Sequence, residues 1–506
     1  MVKNSVLQRL LFLSAMVCFA AILVIDLLDF VYCLRNLRTE FYRVSHKGYL
    51  ILMGILLTAV VALLVYLKNR VLKSALKMRS PFVFAIILFI VSLSVKLLFV
   101  FITKTKQYSD FQLFYWVTSQ IANKTPKYLS QPYFSIWAYQ LGFPAVMSPV
   151  IKGFGMDIVP LLIANCIFMS ITNVLLYLIL REFCSDKTSR MVAFAYAFFP
   201  LNLSLSPVYT NQHLAAMLLF AGFYIIIHKQ RFTLGKAAIA GIFFSLSNMV
   251  RPEAVLMIAA LLGYGVITVL QRFSKETLKV KFREVFLPVG CAILVYFIGN
   301  AAISKLFVLS GISPYGLSNN FPLYKFVVGL NHSTSGTFSK EDADKLFESK
   351  YFIENPDQRD EEAIKLIKER LSVGPKRLSL LLSKKIRIMW SCDASWYPAF
   401  NGIDLNKSIN ILNISIPVRF LLYLFTAVDS AFYLLIFLFG IISMLTALKA
   451  EKNSSVQIIS VTFFIVTFFV YWLIEVQHRY AYIAFFALFV VASKGFEGLF
   501  RRRCAS

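Results

Sequence analysis

Charge is what this sequence has least of. Asp, Glu, Lys and Arg make up 15% of its 506 residues, against about 25% in an ordinary soluble chain. Acids are the scarcer sign, 26 against 52 bases, which leaves a net charge of +26. So little charge excludes a soluble enzyme and a disordered chain. The seven cysteines are scattered with no CxxC pair, and there are five histidines. That excludes a disulfide scaffold, and no His/Cys cluster has metal-ligand spacing, so no metal is expected. Internal repeats and low-complexity stretches are also missing. What is abundant is apolar. Hydrophobic residues are 58% of the chain, 49 of them Phe, and mean hydropathy is +0.69. In a soluble protein the basic excess would suggest nucleic acid. Here the bases fall in short loops between apolar runs, so orientation in a membrane explains them, with no nucleic-acid partner.

A helix crosses the hydrocarbon layer with about 20 apolar residues. Twelve runs qualify, near 9–33, 50–67, 81–103, 158–180, 190–207, 210–228, 236–250, 253–270, 285–305, 423–447, 455–474 and 479–496. The fold class expected is an all-α polytopic membrane protein. The two runs around Arg251 are short and read equally as one broken helix or a re-entrant pair; Pro200, Pro207, Pro252 and Pro288 end or kink helices locally. Six basic clusters face one side: Lys68–Arg79, Arg181/Lys187/Arg190, Lys229/Arg231/Lys236, Arg272–Arg283, Lys449/Lys452 and Arg501–Arg503. The positive-inside rule makes that side cytoplasmic, with both termini on it. The loop 34–49, with Arg35, Arg38, Arg43 and Lys47 against Glu40, opposes the trend. The first run follows Lys3 and Arg9 and has no small-x-small site before Asp26, which predicts an uncleaved anchor. The chain divides into a two-helix extension (1–80), a core (81–305) with a first outer loop (104–157), an extracytoplasmic helical segment (306–415), and C-terminal helices with a basic tail (416–506).

In the second outer segment, Ser339-Lys-Glu-Asp342 is a cap-like helix start. Asn355-Pro356 opens another helix, with Ala363, Ile364, Ile367 and Leu371 on one face, stopped by Gly374-Pro375. A third, Arg377 to Trp390, mixes basic and apolar positions. It reads either as a helix resting on headgroups or as a surface whose Lys384, Lys385 and Arg387 hold an anionic head.

Polar groups at span ends are functional candidates. Asp110 follows the third span directly. A carboxylate there, with water in reach, can stay ionised, and burial between helices can tune its pKa upward, which suits a general base; the plain alternative is an ion pair with Lys104 or Lys106. Asp26 and Asp29, Tyr209 to His213, Asn248 with Arg251-Pro252-Glu253, and Glu475 to Tyr480 all fall on the same side as Asp110. Glu475 and Arg479 have the i,i+4 spacing of a helix ion pair.

Ser109-Asp110-Phe111, Ala197-Phe-Phe-Pro200 with Tyr209-Thr210, Val250-Arg-Pro-Glu253, Val328-Gly-Leu-Asn331 with Gly336, and Glu475-x-Gln-x-Arg-Tyr480 occur in that order. Together they resemble the GT-C superfamily of polyprenyl-phosphate-sugar-dependent membrane glycosyltransferases, in particular bacterial relatives of protein O-mannosyltransferases and the lipid A aminoarabinose transferase. The likeness runs from about residue 81 to the end. It departs near Asn211–His213, where the family often has an acid and this chain has none. The resemblance implies transfer of a sugar from a polyprenyl-phosphate donor to the hydroxyl of an extracytoplasmic acceptor: an envelope glycan, a lipid or a protein. Asp110 would be the base and the anomeric configuration would invert. Arg251 and Arg479 would meet the phosphate, with Lys384, Lys385 and Arg387 behind them. Glu475, Tyr209 and His213 would line the substrate, with no cofactor or metal required. It also implies a plasma-membrane location with the catalytic face extracytoplasmic. Two other readings stay open: a polymerase or ligase of lipid-linked polysaccharide, and a flippase for lipid-linked sugars.

Overall fold

A computed structural model describes residues 6–35, 59, 80–230, 232–270, 282–391, 395–404, 407–411, 414–450 and 453–501. Apart from residue 59, the expected span at 50–67 lies outside them, as do the clusters at 68–79 and 272–281 and Arg502–Arg503. The protein is an all-α polytopic membrane protein. Seven helices among the described residues are long and apolar enough to cross a membrane, and three apolar helices are shorter. The long ones are α1 (Val6–Arg35), α2 (Pro81–Thr103), α5 (Val159–Arg181), α11 (Leu287–Leu309), α15 (Val418–Lys449), α16 (Ser455–Leu473) and α17 (Tyr482–Arg501). The shorter ones are α8 (Gln212–Ile227), α9 (Leu234–Val250) and α10 (Ala254–Leu270).

Breaks in these helices make the architecture. The run expected as one span at 190–207 is two helices, α6 (Asp186–Ala197) and α7 (Pro200–Leu205), with Phe199 extended between them. Proline at 200 has no N–H to continue the ladder and disfavours helical backbone at the residue before it. The same pre-proline effect extends Arg251 (φ −158°, ψ 131°) and separates α9 from α10. A third break follows α16: Ile474 and Gln477 are extended before a short turn, His478–Ala481.

The first outer loop carries α3 (Ser109–Ala122) and α4 (Gly142–Phe154). The second carries α12 (Leu323–Gly329), α13 (Pro356–Leu371) and α14 (Pro375–Trp390). Ser339 caps the Lys340–Leu346 helix as its sequence predicts, its side chain accepting from the Asp342 N–H at 3.2 Å. One feature departs from a purely helical segment. Ser408–Ile411 and Ile414–Pro417 form an antiparallel two-stranded ribbon. Alternating Ile residues at 409, 411, 414 and 416 suit a pleated surface.

The second loop segment is anchored in the bundle. Trp390, at the end of α14, is 1% exposed and packs against Phe464, Phe468 and Phe485, its ring centroid 5.2–6.0 Å from theirs. At the end of the bundle away from Asp110, Asp186 pairs with Arg181 (3.3 Å) and Arg190 (2.7 Å), and Glu182 meets His228 at 2.9 Å. The basic loops there are thus tied to the few acids present.

Candidate active site

The breaks at 104–109, 206–211, 251–253 and 474–478 meet at one end of the bundle. Asp110 lies in the first turn of α3, where the helix dipole favours a negative charge. The loop before it is held from two sides. Gln107 accepts from the Tyr209 N–H at 2.7 Å and donates to the Pro207 carbonyl at 2.9 Å. Thr105 donates to the Ala399 carbonyl at 2.6 Å.

Asp110 pairs with Arg479, 369 residues away, at 2.5 Å. The guanidinium lies over the rings of Phe111 (4.9 Å) and Tyr480 (5.7 Å). Its Nε donates to Gln477 Oε1 at 2.7 Å, and Gln477 donates in turn to Glu475 Oε1 at 2.9 Å. Glu475 Oε2 pairs with Lys325 on α12. Arg251 pairs with Glu253, donates to Asn211 Oδ1 at 3.2 Å and lies 5.0 Å from the centre of the Tyr480 ring. The result is one connected relay, Asp110–Arg479–Gln477–Glu475–Lys325, with Arg251–Glu253 beside it.

Two expectations are corrected here. Glu475 and Arg479 are not an i,i+4 helix pair, because the chain between them is extended. Gln477 bridges them and each takes a partner of opposite charge elsewhere. The Asp110 carboxyl is not tuned upward. Burial pushes its pKa up, but Arg479, with Lys325 and Arg251 farther off, outweighs burial and holds it below the usual carboxylate range. Its side chain is 32% exposed, so a proton has a route to it. Lys325 follows the mirrored logic: burial disfavours its charge, and Glu475 more than restores it, well above the usual ammonium range.

The other candidate residues are placed as follows. Tyr209 is fully buried, its hydroxyl 2.9 Å from Thr118 Oγ1. His213 is also buried, its Nε2 3.0 Å from the Leu205 carbonyl and its ring edge-on to Tyr482. Both support the loop rather than face a cavity. Lys384 and Arg387 lie on the exposed side of α14. Lys385 is the larger correction. It is 1% exposed, and its ammonium donates to the carbonyls of Gly329 (2.7 Å), Trp472 (2.8 Å) and Ile474 (2.9 Å). All three donors are spent on backbone, so it pins the break after α16 instead of meeting an anion. Gly336 (φ +80°) runs alongside, where a Cβ would come within 3.0 Å of the lysine stem. Lys385→Met should strand three carbonyls and destabilise the protein by about 2–5 kcal/mol. Unfolding of detergent-solubilised protein checks this, and an unchanged transition would discard the pin.

Lys325 and Gln140 were missed in the sequence, and Tyr139 had no role assigned to it. Gln477 entered there only as part of the candidate stretch Glu475 to Tyr480 and the middle letter of Glu475-x-Gln-x-Arg-Tyr480.

One cavity shares Glu475 and Lys325 with the relay, and a second opens beside Lys104 at the start of the first outer loop. The first, polar and of about 170 Å³, is lined by Tyr139, Gln140, Arg251, Glu253, Asn319, Lys325, Tyr471, Glu475 and Tyr480, among others. The second, apolar and of about 370 Å³, runs between α2, α7 and α15, lined by Phe99, Ile102, Leu203, Phe400, Leu421 and Phe425, with Lys104 and Lys407 among its polar lining. Among the described residues no group of His, Cys, Asp and Glu could hold a metal ion.

Residues 140–302 match the model of the dolichyl-phosphate-mannose-protein mannosyltransferase family. The match contains Tyr209, His213, Arg251 and Glu253, and ends before Lys325 and Glu475. It is in keeping with the resemblance to the GT-C superfamily drawn from the motifs. Among solved structures, the chain is similar to the apo crystal structure of the Archaeoglobus fulgidus oligosaccharyltransferase. That match has a TM-score of 0.45 and 15% identity, covering 85% of this chain and 52% of that one. It is also similar to the archaeal oligosaccharyltransferase AglB from Archaeoglobus fulgidus in complex with an inhibitory peptide and a dolichol-phosphate (TM-score 0.36, 13% identity, 82% and 51%). The chain spans about half the length of these structures. No curated protein sequence matches it.

Proposed function

We propose that this protein is a membrane glycosyltransferase that moves a sugar from a polyprenyl-phosphate donor to an acceptor hydroxyl on the extracytoplasmic side. The observation that carries the reading is the Asp110–Arg479 pair. It joins an acid at the start of the core to a cation near the end of the chain, and through Gln477 it connects to Glu475, which lines the polar cavity.

In this mechanism Asp110 accepts the proton of the acceptor hydroxyl. The oxygen attacks the anomeric carbon, the bond from that carbon to the phosphate oxygen breaks, and polyprenyl phosphate leaves. Attack opposite to the leaving group inverts the anomeric centre. Charge grows on the phosphate as the bond breaks, so fixed cations nearby stabilise the transition state. Arg479 and Arg251 fill that role. The isoprenoid chain lies in the apolar groove, whose lining matches a hydrocarbon tail. Lys104 and Lys407 are exposed there and have no carboxylate in ion-pair range among the described residues. They meet the phosphate as it arrives and leaves. The acceptor, an envelope glycan, lipid or protein, enters from the extracytoplasmic water.

Purified protein in lipid nanodiscs, given a radiolabelled polyprenyl-phosphate sugar and envelope acceptors, should transfer label. Movement of donor across the bilayer without transfer would replace the enzyme with a flippase. Within the assay, Lys104→Glu combined with Lys407→Glu should raise the donor KM by about tenfold and leave kcat near its original value, because the groove cations hold ground state and transition state alike.

A further inference from the structure

The polar cavity has a charge balance that bears on what it can hold, and the argument from it rests on the glycosyltransferase reading above. Four charged side chains line it: Arg251, Glu253, Lys325 and Glu475. Each cation lies against a carboxylate, Arg251 on Glu253 and Lys325 on Glu475. No charge of either sign is left over. Neutral hydrogen-bonding capacity is. The hydroxyls of Tyr139, Tyr471 and Tyr480 make no hydrogen bond among the described residues. Glu253 is 5% exposed, and its second oxygen, Oε2, is buried without a partner. A buried acceptor with no donor is costly, and a ligand hydroxyl would satisfy it. Three tyrosine rings beside it offer apolar faces and polar tips together.

We propose that this cavity receives the sugar of the donor and selects an uncharged, hydroxyl-rich sugar against amino sugars and uronic acids. An ammonium placed here faces Arg251 or Lys325 as well as their partners. A carboxylate faces Glu253 or Glu475 in the same way. Either would arrive desolvated, with Lys325 and Glu475 engaged with each other and Arg251 committed to Glu253 and the donor phosphate. A neutral sugar donates one hydroxyl to Glu253 Oε2, exchanges hydrogen bonds with the tyrosines, and leaves both ion pairs intact.

The test uses the full-length protein in nanodiscs with three donors on one polyprenyl phosphate: a neutral hexose, its amino-sugar counterpart and its uronic-acid counterpart. The neutral donor should lead both others in kcat/KM by at least about tenfold. Lys325→Met leaves Glu475 unpaired and should move the preference toward the amino sugar. Glu475→Gln frees Lys325 and should move it toward the uronic acid. A charged donor used by the unaltered protein as well as the neutral one overturns this inference and leaves the transferase reading standing. No transfer from any of the three, with the protein folded, removes the transferase reading and this inference with it.

Discussion

Asp110→Asn should lower the rate of sugar transfer by about 10²–10⁴, the usual contribution of a positioned general base. The amide fills the same space and still accepts a hydrogen bond from Arg479, but it cannot take a proton at neutral pH. The loss should fall on kcat. Donor affinity should hold or improve, because Arg479 would then face the phosphate without a competing carboxylate. Single-turnover transfer and donor binding, measured separately, resolve the two. Full transfer by the variant would end the base assignment while leaving the fold description untouched.

The same carboxylate predicts a pH profile. Its folded pKa is depressed, beneath the usual value near 3.9. The acidic limb of kcat/KM should therefore lie below the ordinary Asp range, and activity should not fall between about pH 7 and 5 on this group's account. The linkage runs the same way. A depressed carboxyl contributes stability that is present above its unfolded pKa and is lost as pH falls through the folded one.

What the sequence showed and what it hid follow from how far each signal reaches. The spans at 81–103 and 158–180 agree with α2 and α5 to within a residue. An apolar run bounded by proline or basic residues is a local signal that needs no partner. The sidedness of Asp110, Arg251, Glu475 and Arg479 was legible too, because it follows from counting crossings. The partner of each charge was not. Glu475 and Arg479 have helical spacing, and only the extended backbone at 474–477, held by Lys385 and by the Glu475 N–H to Lys325 carbonyl bond (2.9 Å), breaks that pairing. Lys385 looked like Lys384, since a basic stretch does not announce which lysine turns inward. The pKa of Asp110 was misjudged because burial was visible as an idea while the neutralising guanidinium lay 369 residues away.

Arg479 is where these strands meet, and its replacement carries the second large effect. Arg479→Met keeps an apolar stem against Phe111 and Tyr480 but removes the charge. Two consequences should appear together. On the proposed mechanism the cation assigned to the leaving phosphate is gone, which for a single preorganised electrostatic group costs about 10²–10³ in kcat. Asp110 loses the neighbour that outweighs its burial, so desolvation should dominate and its pKa should rise above the ordinary Asp value. The acidic limb should then move upward, opposite to its position in the unaltered protein. Arg479→Lys separates the two effects. A lysine keeps a charge near Asp110, so the limb should stay low, but it lacks the planar fork that reaches Asp110 and Gln477 at once. Turnover in the lysine variant should therefore fall with the pH profile nearly unmoved. If the methionine variant lost turnover with no upward shift of the limb, Arg479 would be binding phosphate without setting the state of the base, and the relay from Glu475 to Asp110 would have no catalytic meaning.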